Sequence, residues 1–308
     1  MTAPDAVLHL ERETVVHAAP NAVRRLVADV SWWPLLFSAT VHVEVLERRT
    51  GTDRLRIWAF DENAHRAGRP AVRTWTTTRR LLPDTGTAIV FAQDAPQAPL
   101  AAMGGEWRFE PREDGGCRLV LAHHARVSEG TLADHPWIAA MVTRTADAQL
   151  AAVKAAAELG RGLDEAVVTA GRAARFRGRA AEAAEALADA DRWPLLLPQL
   201  AGLRVGAAGP HAWLLERSGR PFAVCVAPVV GRLVVKQLAV SRSCTALTGE
   251  WTVRPATDLA GSEPVEEVLV TLRRRGLTAA RGAARRRLLT ALTRDTARLV
   301  RQRETAGV

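Results

Sequence analysis

The chain has 308 residues, which fits about two domains, and 48% of them are hydrophobic, enough for two buried cores. No apolar run approaches the ~20 residues that span a bilayer, the first residues lack a basic-then-apolar leader pattern, and Cys117, Cys225 and Cys244 have no CxxC spacing. These features speak against a membrane protein, a disulfide framework and a structural zinc site, and a cytoplasmic location is expected. The net charge of +9 is almost wholly arginine, with Lys154 and Lys236 the only lysines. Without aromatics interleaved in a basic groove it points away from nucleic acid, and an acidic protein partner suits it better.

Leu8 to His17 reads as a strand. Pro20 suits a helix first turn, and Val23, Leu26, Val27 and Val30 make a helical stripe. Trp33-Pro34 breaks that helix and starts a second short one. Period-two alternation then predicts strands over Val41 to Leu46, Leu55 to Phe60, Val72 to Arg80, Thr87 to Ala92, Glu106 to Glu110 and Arg118 to Val127. Turn residues such as Asp84-Thr85-Gly86 and Asp114-Gly115-Gly116 separate several of them. A long helix follows, with Trp137, Ile138, Met141, Val142, Leu150 and Val153 on one face.

The same order then repeats. Ala28 to Leu36 recurs as Ala188 to Leu196, an offset of 160 residues. Gly68-Arg69-Pro70 returns as Gly219-Arg220-Pro221, and Gly105-Glu106-Trp107 as Gly249-Glu250-Trp251, the latter offset by 144. The second copy is therefore about 16 residues shorter between these points. The junction is Gly160-Arg161-Gly162, giving domains of 1–160 and 161–308. Each copy packs naturally as an α+β domain in which a curved antiparallel sheet wraps a long C-terminal helix around an interior cavity.

The sharpest local feature is Arg73 to Arg80, where alternation puts Trp75, Thr77 and Arg79 on one strand face. Facing the cavity, they offer an aromatic wall, a hydroxyl and a permanent cation that stabilises an enolate or polarises a carbonyl. The competing reading makes Trp75 a core residue and lets Arg79 snorkel to solvent. His123 and His124 are neighbours on a strand, point to opposite faces, and read as structural or surface residues. Aligning the two Gly-Arg-Pro turns puts Val226, Pro228 and Val230 opposite the row, so the second copy lacks it. Lys236 and Arg242 are the nearby charges there.

Trp33-Pro34, Trp75-x-Thr77-x-Arg79, Phe91-x-Gln93 and Met103-Gly104-Gly105-Glu106-Trp107 together resemble the didomain aromatase/cyclases of bacterial aromatic polyketide synthases. Val235-Lys236-Gln237 and Gly249-Glu250-Trp251 resemble that family's second domain. The resemblance implies two tandem helix-grip domains of the Bet v 1/START type. It implies as substrate a poly-β-ketone on an acyl carrier protein, commonly ketoreduced, whose first ring is closed by aldol chemistry and dehydrated to an arene. Other polyketide synthase components are implied as partners, and no metal or other cofactor. Arg79 would polarise a ketone or bind the enolate, with Thr77 standing where the family usually has serine. Trp75 and Trp33 would line the pocket, with Trp58, Phe91, Met103 and Trp107 as further wall residues. Thr143-Arg144-Thr145-Ala146 departs from the family's usual Arg-Asn-Ser-like stretch. The alternative function is a START-type module that binds a lipid or polyketide without accelerating chemistry.

Overall fold

The computed structural model describes residues 7–82, 88–128, 135–159, 163–193, 202–240, 244–255, 267–278 and 282–305. Asp84-Thr85-Gly86, Gly160-Arg161-Gly162, Pro194 to Leu196 and Arg242 lie outside them. By compactness the chain divides into Met1–Trp58 with Thr74–Leu163, and Ala59–Arg73 with Asp164–Val308.

The first copy runs β1 (Leu8–Val16), α1 (Pro20–Ala28), a 3-10 turn, α2 (Trp33–Leu36), β2 (Thr40–Arg49), β3 (Thr52–Phe60), α3 (Glu62–Arg66), β4 (Val72–Leu81), β5 (Ala88–Gln93), β6 (Leu100–Pro111), β7 (Cys117–Val127) and α4 (Pro136–Ala157). Its sheet has the order β1-β7-β6-β5-β4-β3-β2, so the first strand closes the far edge beside the last. The second copy runs α5 (Leu163–Ala166), β8 (Val167–Arg177), α6 (Ala180–Ala188), β9 (Arg204–Gly209), β10 (Ala212–Arg217), β11 (Arg220–Val226), β12 (Arg232–Gln237), β13 (Ala246–Pro255), β14 (Glu267–Leu277) and α7 (Gly282–Thr305). The order β8-β14-β13-β12-β11-β10-β9 repeats the first sheet strand for strand. Two tandem helix-grip domains are therefore the fold.

Pro20 sits in the first turn of α1, whose buried residues are the expected Val23, Leu26 and Val27. Helix α4 buries Ile138, Val142, Ala146, Leu150, Val153 and Ala156. Ile138 and Val142 pack with Val127, Leu8, Leu10, Leu100 and Met103, which fixes α4 against the inner sheet face. Trp137 departs from expectation: it is 48% exposed, being one residue off the buried stripe of its helix.

Strand β6 begins at Leu100 rather than Glu106. Gly104-Gly105 resembles a strand break, yet both glycines are required by close approach. A Cβ on Gly104 would lie 2.7 Å from the Phe91 carbonyl oxygen and 2.8 Å from His124 Nε2, and one on Gly105 would lie 2.0 Å from the Ala122 carbonyl oxygen and 2.9 Å from Phe91 Cζ. The glycine pair lets one ring lie against each face of the strand.

Candidate active site

Strand register places the chemistry-bearing residues. Arg79 pairs with Phe91, Phe91 with Gly105, Gly105 with His123, and His123 with Leu10. These five positions form one row across the inner face, since directly opposed residues point the same way. Because Gly105 has no side chain, Phe91 and His123 meet across it edge to face, with ring centroids 5.5 Å apart. Thr77 lies one row along, opposite Gln93.

Arg79 is 1% exposed, so it does not snorkel. Its guanidinium donates from Nε to Asp53 Oδ1 at 2.8 Å and from Nη2 to Asp53 Oδ2 at 2.6 Å. Nη1 donates to the Val27 carbonyl oxygen at 2.9 Å, and Nη2 to that of Ala28 at 3.0 Å. Those carbonyls end α1, where the helix dipole favours a cation. A guanidinium has five N–H donors, so among the described residues one on Nη1 remains without a partner. Trp33 belongs to the same assembly: its Nε1 donates to the Val27 carbonyl oxygen at 3.1 Å, and Arg79 Cζ lies 5.2 Å from its ring centroid.

Trp33 and Trp75 are half-buried and, with Val43, pack on Val30, Leu55 and Ile57. Thr77 is 4% exposed. Thr78, on the opposite face, donates to Asp94 Oδ1 at 2.7 Å. The fold thus gathers Trp33, Trp75, Thr77, Arg79 and Phe91 on the inner face of the first sheet. Met103 lies on that face too, but under α4 beside Ile138 and Val142. Trp107 is 4% exposed in the core, between Ile89 and Leu121 in register. Trp58 is not with them. It lies on the other face of β3 from Leu55 and Ile57, with His42 5.3 Å away by ring centroid and Arg56 Cζ 5.9 Å away.

Two residues of the site went unrecognised in the sequence. Asp53, 3% exposed, follows Gly51-Thr52 and looks like part of a turn. His123 is 7% exposed, and its Nδ1 is buried with no hydrogen-bond partner among the described residues. Burial, aided by the neighbouring His124, pushes its pKa from 6.5 down to about 4. It is therefore a neutral imidazole near pH 7, able to donate one hydrogen bond and accept one. The alternation of Leu119, Leu121, Ala125 and Val127 was the available signal for its inward direction.

In the second copy, register corrects the alignment made on the Gly-Arg-Pro turns. Cys225 pairs with Val235, Val235 with Gly249, and Gly249 with Arg274. The Asp94 amide donates to the Thr76 carbonyl, as the Leu238 amide does to that of Phe222. Pro221, Ala223 and Cys225 therefore occupy the positions of Trp75, Thr77 and Arg79, rather than Val226, Pro228 and Val230. The strands shortened, and with them the register relative to the turn. Arg274 takes the place of His123. Lys236 is 3% exposed on the sheet face opposite Val235, and burial pushes its pKa down to about 7.

The family model described as polyketide cyclase/dehydrase and lipid transport matches residues 7–158. A granaticin polyketide synthase bifunctional cyclase/dehydratase of Streptomyces violaceoruber is 32% identical over 263 residues, covering 81% of this chain and 78% of that protein. An actinorhodin polyketide synthase bifunctional cyclase/dehydratase of Streptomyces coelicolor is 42% identical over 154 residues, covering 49% of this chain and 45% of that protein. Among solved structures, the di-domain ARO/CYC BexL matches with a TM-score of 0.76 at 24% identity, over 97% of this chain and 98% of that one. The di-domain ARO/CYC StfQ of the steffimycin biosynthetic pathway matches with a TM-score of 0.70 at 24% identity, over 97% and 100%. Those structures share the fold, and the granaticin relative, 32% identical over most of both chains, shows the family: this protein belongs to the polyketide cyclase/dehydratase family.

Proposed function

We propose that the first domain takes a ketoreduced poly-β-ketone, tethered to an acyl carrier protein, onto the inner face of its sheet and converts it to the first aromatic ring. A C–H between two ketones is acidic enough to be removed without a strong base. The resulting carbanion attacks a second ketone, forming the C–C bond. The alkoxide takes a proton, and loss of water then drives aromatisation. The observation that carries this reading is the row of Arg79, Phe91 and His123 on the inner sheet face, with Thr77 one row along and Trp33 and Trp75 beside it. Enclosure weakens competition from water and strengthens each hydrogen bond to developing charge.

In this reading Thr77 and His123 supply a hydroxyl and a neutral imidazole, and Arg79 supplies its remaining Nη1 hydrogen to an enolate oxygen. Trp33, Trp75 and Phe91 provide flat apolar walls that fold the chain, which contributes positioning. Trp58, Met103 and Trp107 have supporting places in the core or on the other face. An acidic acyl carrier protein matches the excess of arginine, +9 overall. Among the described residues no helix is long and apolar enough to cross a membrane.

The near-complete coverage of Arg79 favours one rival, a module that shelters the chain without accelerating it. Thr77→Val separates the two, because it removes a hydroxyl while conserving shape. In a reconstitution with minimal polyketide synthase and ketoreductase, the aromatised product is expected to fall at least tenfold, in favour of shunt products, with an unchanged thermal midpoint. An unchanged product spectrum supports shelter alone.

A further inference from the structure

We infer that Asp53 is a positioning residue for Arg79, and that this ion pair serves the reaction rather than the fold; the inference rests on the reading that the first domain is the active one. The two side chains meet on the inner sheet face at 2.6 and 2.8 Å, 3% and 1% exposed respectively. Enclosing two charges costs desolvation that mutual attraction does not fully return, and apolar replacements of like volume are often no less stable.

The second copy is a built-in comparison. A left-handed residue opens the hairpin in each copy, Gly51 with φ 70° and His211 with φ 51°, and two residues on stand Asp53 and Trp213. Trp213 pairs directly with Cys225, the residue at the Arg79 position. The same scaffold position thus holds a Trp–Cys pair in one copy and an Asp–Arg pair in the other. The surroundings stay alike: Trp193 Nε1 donates to the Leu187 carbonyl oxygen at 3.0 Å, as Trp33 does to that of Val27 at 3.1 Å. Where Trp33 faces the Arg79 guanidinium, Trp193 meets the Trp213 ring, with centroids 5.1 Å apart. The fold closes this corner without charge.

Asp53 therefore fixes the guanidinium plane. It holds Nε and Nη2, the α1 carbonyls hold Nη2 and one hydrogen of Nη1, and the last Nη1 hydrogen is left in one defined direction. A fixed donor is worth more to a developing oxyanion than a mobile one, because it needs no reorganisation during the reaction. Arg48, whose Nη2 lies 3.8 Å from Asp53 on the solvent side, does not compete for both carboxylate oxygens.

The test uses the full chain in three forms. Asp53→Trp with Arg79→Cys installs the second copy's pair, and Asp53→Leu with Arg79→Met offers a second apolar packing. Asp53→Asn keeps the shape and removes the charge. At least one double variant is expected to keep its thermal midpoint within a few degrees of wild type while product formation falls 100-fold or more. Asp53→Asn is expected to lower kcat at least tenfold per folded molecule, with KM changed less than threefold. A purely structural pair would lower the midpoint and leave kcat per folded molecule intact. The inference is overturned if neither double variant folds, if a folded one still makes the aromatised product at the wild-type rate, or if folded Asp53→Asn keeps wild-type kcat. Failure of the underlying reading is separate: there the wild type itself leaves the tethered chain unconverted, and the inference goes with it.

Discussion

Replacing Arg79 alone with alanine is expected to destabilise the first domain by about 3–5 kcal/mol, the usual cost of leaving one member of a buried ion pair uncompensated. The Asp53 carboxylate is 3% exposed in the intact protein, and among the described residues its one other cation is the exposed Arg48, 3.8 Å away. The Val27 and Ala28 carbonyls would lose a shared donor, and Trp33 would lose the cation against its ring. Chemical denaturation measures the loss directly, and a fall in thermal midpoint on the order of 10 °C should accompany it. Arg79→Lys should recover part of the stability, since it keeps charge but not the forked geometry. A variant within 1 kcal/mol of wild type would mean that water reaches Asp53 freely. One practical consequence is that lost activity in Arg79→Ala cannot by itself assign a chemical role, which is why paired replacements carry the test.

The second large effect is on acid stability. His123 has its pKa lowered from 6.5 to about 4 by burial. Between those values the unfolded chain binds a proton that the folded chain refuses, so unfolding free energy rises with pH across the window. Its contribution is complete above about pH 6.5 and lost as pH falls toward about 4, amounting to about 3 kcal/mol. Denaturation at pH 7 and at pH 4.5 should show this loss in the wild type. His123→Leu should lack that share of it, because nothing at the position titrates. Equal pH slopes in the two proteins would place His123 in contact with water.

Much of this was legible in the sequence, for identifiable reasons. The duplication rested on Trp-Pro, Gly-Arg-Pro and Gly-Glu-Trp; in the first copy these start α2, turn the chain ahead of β4 and let Phe91 lie against Gly105. Period-two alternation correctly put Trp75, Thr77 and Arg79 on one face, since β4 is regular through them. The partner of Arg79 was not legible. Asp53 is 26 residues away and becomes its neighbour only through the pairing of β3 with β4.

Aromatic residues were harder to place than the row itself. Trp33 and Trp75 pack on one apolar cluster and Phe91 stands in register with Arg79, but Trp58 differs from Ile57 by a single residue and so falls on the other sheet face. Trp107 follows the correct alternation yet pairs with Ile89 and Leu121, which makes it core. The correspondence between copies failed at the Gly-Arg-Pro turn because β11 starts at Arg220, directly after Gly219, whereas β4 starts at Val72, well after Gly68, and runs further before it reaches Arg79. Counting from the turn then runs past the true partners, Ala223 and Cys225.

The central claim is that a polyketide is processed on the inner face of the first sheet and not on that of the second. Photocrosslinking with an acyl carrier protein bearing a photoreactive poly-β-ketone mimic, followed by peptide mapping, tests it most directly. The account predicts label on Trp33, Trp75, Thr77 or Phe91. Label confined to Val235, Gly249 and Arg274 of the second domain, or to outer-face residues such as His124 and Thr78, would contradict it.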